Sequence, residues 1–162
     1  LNTRMSQNKL DELIRDSDLK YDIIQNLKAS DNFSFLNAGN DRVVAKRYDE
    51  NRIYKIEENP HQNVREFNLY NNDNQKLRTK LLEVTGKGDD YRWIKCPVSN
   101  FNVTEEEKIR FINNLIIEYG LIPKDFSPKD IGRVNGDIVI IDYGYGFQER
   151  EDEICGLSDI VT

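Results

Sequence analysis

Apolar residues early in the chain recur three and four apart, at Leu10, Leu13 and Ile14, then Ile23, Ile24 and Leu27. That spacing predicts amphipathic helix over 8–29, either one helix or two short ones broken near Asp16-Ser17-Asp18. Such a leading helix is expected to pack on the domain that follows. From Phe33 the pattern changes to short β-branched and aromatic runs: Phe33–Leu36, Arg42–Tyr48 and Arg52–Ile56. The turn clusters Asn37–Asp41 and Asp49–Asn51 separate them, which predicts a three-stranded antiparallel meander. Gln62 to Leu82 returns to helical spacing, weakened at Asn71-Asn72-Asp73-Asn74, where asparagines compete for the backbone. Leu82-Glu83-Val84 and Tyr91–Val98 flank Thr85–Asp90 and read as a hairpin, bringing the strand count to five.

Thr104-Glu105-Glu106-Glu107 has the form of a capping box and opens a helix ending at Gly120. A loop to Lys129 follows, then Arg133–Asp142, in which Asn135-Gly136 signals a tight hairpin. The segment 148–162 is short and acidic. The chain thus reads as an α+β protein with one domain in two lobes. An N-terminal helical extension covers 1–30, and the domain covers 31–162, with the first lobe over about 31–98 and a smaller second over about 99–162.

The 162 residues are 38% hydrophobic, enough for a core. A net charge of −6 and the lack of any long Lys/Arg block argue against nucleic-acid binding. No apolar run is long enough for a membrane span, and no signal-peptide pattern is seen, so a cytoplasmic location is expected. Cys96 and Cys155 lack metal-ligand spacing; Cys96 reads as a buried strand residue, and His61 as a surface or capping residue after Pro60.

Three features carry chemistry. A strand, a turn containing Gly39, a second strand and a third strand bearing Lys55 are followed by a helix bearing Glu66. Lys124-Asp125-Phe126-Ser127-Pro128-Lys129-Asp130-Ile131 sets two aspartates around a proline. Ile138-Val139-Ile140-Ile141-Asp142-Tyr143-Gly144 is a strand that delivers an aspartate before Tyr-Gly. In this order the features resemble the protein-kinase-like fold: a five-stranded antiparallel N-lobe with its helix C, and a reduced C-lobe holding the catalytic and metal loops.

The resemblance implies ATP and Mg²⁺ as cofactors. It assigns Gly39 to the nucleotide-covering turn, Lys55 to the phosphates, and Glu66 to pairing with that lysine. It makes Asp125 the base that accepts the attacking hydroxyl's proton, and Asp130 and Asp142 the metal ligands. Asp130 stands where the family has Asn, and a carboxylate also suits Mg²⁺. Converging carboxylates would hold one or two hard cations at the phosphate oxygens.

The chain departs from the family pattern in several places. Gly39 stands alone where the full pattern has three glycines, and Pro123 replaces the usual His before Asp125. The stretch after Gly144 is too short for an activation segment and peptide platform, so a conventional protein kinase is not expected. Two classes remain. One is a minimal phosphotransferase acting on a small molecule or a specific partner; the other is an inactive kinase-like module that binds a partner protein. Small kinase-like proteins of this kind occur in bacteria and their phages. Homo-oligomerisation stays open.

Overall fold

The turn clusters cut residues 33–57 into three strands: β1 (Phe33–Ala38), β2 (Arg42–Arg47) and β3 (Arg52–Glu57). They pair as the antiparallel meander that the sequence predicts. Two more strands, β4 (Gly86–Lys87) and β5 (Trp93–Pro97), complete a five-stranded antiparallel sheet ordered β1-β2-β3-β5-β4. The fold is α+β. This computed structural model describes residues 10–15, 17, 19–124 and 126–149. The chain divides into two units, Leu1–Asn63 with Val84–Val98 and Val64–Glu83 with Ser99–Thr162.

In the first unit one face of the sheet carries the core. Strand alternation puts Val43, Ala45, Tyr54, Ile56 and Trp93 on that face. Leu10 and Ile14 of a helical stretch at 10–14, and Ile23 and Leu27 of helix α1 (Lys20–Ala29), close over it. Tyr54 lies edge-on between Phe33 and Trp93, with ring centroids 5.6 and 5.5 Å away, the geometry aromatic quadrupoles favour. Arg15, Ser17 and Leu19 are not helical, in line with the expected break, and Arg92 closes off the first piece. Its guanidinium donates to the carbonyls of Ile14 at 2.6 Å and Ser17 at 2.7 Å. The neighbouring Trp93 Nε1 donates to Asp11 Oδ1 at 2.7 Å. The leading helices therefore share the core of the sheet.

The fourth strand is not Leu82-Glu83-Val84, although that segment reads as one arm of the expected hairpin. Pairing with β5 begins with the Thr85 N–H donating to the Lys95 carbonyl at 2.8 Å. Leu82 belongs to the second unit, where its N–H donates to the Ile140 carbonyl at 2.9 Å. An apolar residue such as Leu82 announces burial without saying which neighbour supplies it.

The second unit holds most of α2 (His61–Tyr70), then α3 (Gln75–Arg78) and α4 (Glu105–Tyr119). The asparagine cluster does break the helix. Asn72 Oδ1 accepts from the Asn74 N–H at 2.5 Å, and Asn74 Oδ1 caps Leu77 N–H at 3.1 Å. Helix α4 opens on the predicted capping box: Thr104 Oγ1 accepts from Glu107 N–H at 3.1 Å, and Glu107 Oε1 accepts from Thr104 N–H at 2.9 Å. It buries Phe111, Leu115 and Tyr119, four apart, and ends at left-handed Gly120 with φ 64°. Two small ladders follow: β6 (Leu121–Pro123) pairs with β9 (Phe147–Glu149), and β7 (Ile131–Val134) with β8 (Asp137–Ile140). Asn135 and Gly136, at φ 50° and 88°, make the expected tight turn between the latter pair. The β6–β9 ladder was not expected, because a three-residue run ending in proline shows no strand periodicity.

Two outcomes test this description. Leu27 is fully buried, so Leu27→Ala is expected to cost about 2–5 kcal/mol in chemical denaturation. A loss below about 0.5 kcal/mol, typical of surface sites, would make the leading helix a mere appendage. The Glu107 carboxyl is held below the usual carboxylate range, first by the Thr104 N–H and then by Arg133. A depressed folded value adds stability above the unfolded value, and that stability is lost as pH falls through the folded one. Glu107→Gln should therefore lower the melting temperature at neutral pH, with the gap closing in acid. A gap that acid leaves unchanged contradicts charge as its cause.

Candidate functional site

Lys55 sits mid-strand on β3, opposite Val44 of β2 and Ile94 of β5. Alternation turns it to the sheet face away from the Tyr54–Trp93 core, yet it is only 4% exposed. Around it the first unit builds a polar junction. The Glu57 carboxylate accepts from the N–H groups of Gln62 at 3.2 Å and Asn63 at 3.0 Å. A negative group at these first-turn amides suits the helix dipole, so the end of β3 caps the start of α2. The buried Asn63 amide donates to the carbonyls of Lys55 at 3.1 Å and Tyr91 at 2.9 Å, and its Oδ1 accepts from Arg42 at 3.2 Å. Strand β3 and the helix after it are thus tied together beside the lysine.

Gly39 lies in the turn between β1 and β2, and its N–H closes that turn on the Arg42 carbonyl at 2.9 Å. A Cβ built on Gly39 would meet nothing nearer than 4.0 Å, so open space on this side marks the position.

In the second unit the Glu66 side chain, fully buried on α2, accepts from the Tyr143 N–H at 3.0 Å. The preceding residue, Arg65, donates to the Gly144 carbonyl at 3.1 Å. Two successive helix residues therefore grip the chain just after Asp142. Tyr143 is buried, and its hydroxyl donates to the Leu82 carbonyl at 2.7 Å. Asp142 is half-buried, with Oδ1 accepting from Gly144 N–H at 3.3 Å.

Asp130 ends a 3₁₀ turn over Pro128–Asp130, where Oδ2 accepts from the Ser127 N–H at 2.9 Å. Its carbonyl accepts from the Ile141 N–H at 2.6 Å, so the β7–β8 hairpin returns the chain to Asp130 one residue before Asp142. Glu66, Asp130 and Asp142 are thus tied to one backbone junction of the second unit. Lys55 and Gly39 belong to the first unit. Asp125 lies outside the described residues, as do Cys155 and the acidic segment from 150 onward.

Among the described residues no group of three or more His, Cys, Asp or Glu forms a metal-holding cluster. Asp130 and Asp142 supply two carboxylates, the oxygen donors a hard cation takes, and Mg²⁺ is commonly held by one or two carboxylates plus substrate phosphates. The cap on Asp130 does not exhaust a carboxylate, which has about four lone-pair sites. By type alone, the two carboxylates suit Mg²⁺. A surface depression of about 570 Å³ lies elsewhere in the second unit, lined by Gln75, Lys76, Thr79, Lys80, Glu118 and Tyr119, and contains none of the predicted residues. None of the described helices is long and apolar enough to cross a membrane. No family model and no curated protein matches the chain.

Sequence reasoning missed Glu57, Asn63, Arg42 and Arg65. Only Glu57 left a trace, as an acidic residue shortly before Pro60 at a helix start. The grip on Tyr143 is open to test by chemical denaturation. Glu66→Ala leaves a buried N–H without its acceptor and is expected to cost about 1–3 kcal/mol from that bond alone. Glu66→Gln keeps an oxygen for the bond and should lose less. Equal stability of wild type and Glu66→Ala contradicts the assignment.

Proposed function

We propose that the chain is a kinase-like protein that binds ATP with Mg²⁺ and acts as a minimal phosphotransferase on a small molecule or a specific partner. One observation carries this reading above the others. The buried Glu66, on the helix that follows the lysine strand, bonds the backbone immediately after Asp142. That contact ties the helix and the metal loop together, as a phosphate site built from both requires. The sheet order and the tight β7–β8 hairpin support the same reading.

In this reading the Lys55 ammonium neutralises phosphate charge away from competing water, and Glu66 orients it. Asp142 and Asp130 would hold the cation, which when bound would neutralise phosphate charge. Asp125 accepts the proton of the acceptor hydroxyl. The chemistry asks for positioning and charge neutralisation rather than a covalent intermediate. Asp130's bond to its own turn favours a second reading, an inactive module of the same fold that binds a partner protein.

A thermal shift series tests the nucleotide site that the first reading requires. ATP at a hundred times its dissociation constant adds about 2.7 kcal/mol of stability, a readily seen rise in melting temperature. The rise is expected for wild type with Mg²⁺, to be smaller without it, and to be absent in Asp142→Asn. No response of the wild type to ATP with Mg²⁺ contradicts the nucleotide site and turns the search to a partner protein.

A further inference from the structure

The β1–β2 turn has a single glycine, and the leading helix reaches it. Lys20, the first residue of α1, donates from Nζ to the carbonyls of Gly39 at 2.7 Å and Asn40 at 3.0 Å. The backbone that carries that side chain is itself anchored. No side chain of the N-cap residue Leu19 caps α1, and Glu58 does so from a distance, its Oε1 accepting the Lys20 N–H. The capping bond uses Lys20's backbone and survives any change of its side chain.

The two bonds fix more than the carbonyls. No cis peptide occurs among the described residues. In a planar trans peptide the C=O and the following N–H point in opposite directions. Holding the Gly39 and Asn40 oxygens on one ammonium therefore turns the N–H groups of Asn40 and Asp41 to the far side of the turn. Successive N–H groups presented together make an anion-binding concavity. Flexible glycines reach such an arrangement by freedom of backbone; here a cation imposes it.

We infer that Lys20 is a positioning residue for phosphate: it sets the turn so that the Asn40 and Asp41 amides face the phosphate groups of the nucleotide. This rests on the ATP-binding reading above. Lys20 acts through the backbone and does not itself touch the ligand. Its loss is felt by the phosphates and not by the base or ribose.

The test uses the full chain as wild type, Lys20→Ala and Lys20→Arg, with MgATP and adenosine as probes. Without ligand, amide hydrogen exchange at Asn40 and Asp41 is expected to quicken at least about tenfold in Lys20→Ala, while β2 and β3 stay unchanged. By calorimetry MgATP binding is expected to weaken about tenfold, with adenosine binding unchanged. Lys20→Arg, which keeps a donor cation, should restore most of both. Unchanged exchange in Lys20→Ala overturns the positioning role. Quickened exchange with unchanged MgATP affinity overturns the phosphate role, and an equal loss for MgATP and adenosine reduces Lys20 to general structure. A wild type that binds neither probe overturns the ATP-binding reading and the phosphate role with it; the exchange result then decides alone whether Lys20 sets the turn.

Discussion

A carboxylate taken fully out of water must be compensated by donors, and Glu66 is such a group. Its bond to the Tyr143 N–H fixes α2 against the chain that leaves β8. The surrounding features of the second unit follow from that contact. Arg65 grips the next carbonyl, the Tyr143 ring is buried with its hydroxyl on Leu82, and Asp142 is left beside them half-buried. Replacing the acceptor would strand a buried amide, a larger penalty than the net gain from an ordinary hydrogen bond. The aspartate's position therefore depends on a helix distant from it in sequence.

The first unit solves a similar problem with a different charge. Glu57 caps the start of α2, and Asn63 spends its amide on the carbonyls of Lys55 and Tyr91. The opposite sheet face is closed by leading helices pinned by Arg92 and Trp93. Lys55 thus stands on a strand held from both sides.

Much of this architecture is legible in the chain. Period-two runs and turn clusters marked β1 to β3, Asn135-Gly136 marked a hairpin, and Thr104 with Glu107 marked the start of α4, since each depends on neighbours a few residues away. Features set by distant partners were not legible. Leu82 looked like a strand residue because an apolar position beside a turn cluster cannot tell β5 from Ile140 as its neighbour. The β6–β9 ladder joins two three-residue pieces, too short for any period to emerge. Of the expected site residues, Lys55 falls on a strand, Glu66 on the helix after it, Asp130 in the loop before β7 and Asp142 just after β8, as their local patterns indicated. The polar groups that hold them, Asn63, Arg42 and Arg65, carry no local signal, because an isolated polar residue in sequence reads as surface.

The most direct measurement replaces Mg²⁺ with paramagnetic Mn²⁺ and follows amide resonances of the full chain with and without ATP. With ATP, the account predicts selective broadening at Asp130–Ile131 and Asp142–Gly144, reversed by excess Mg²⁺. Broadening confined to the depression between Lys76 and Tyr119, or none at all, would contradict a metal–nucleotide site at these aspartates.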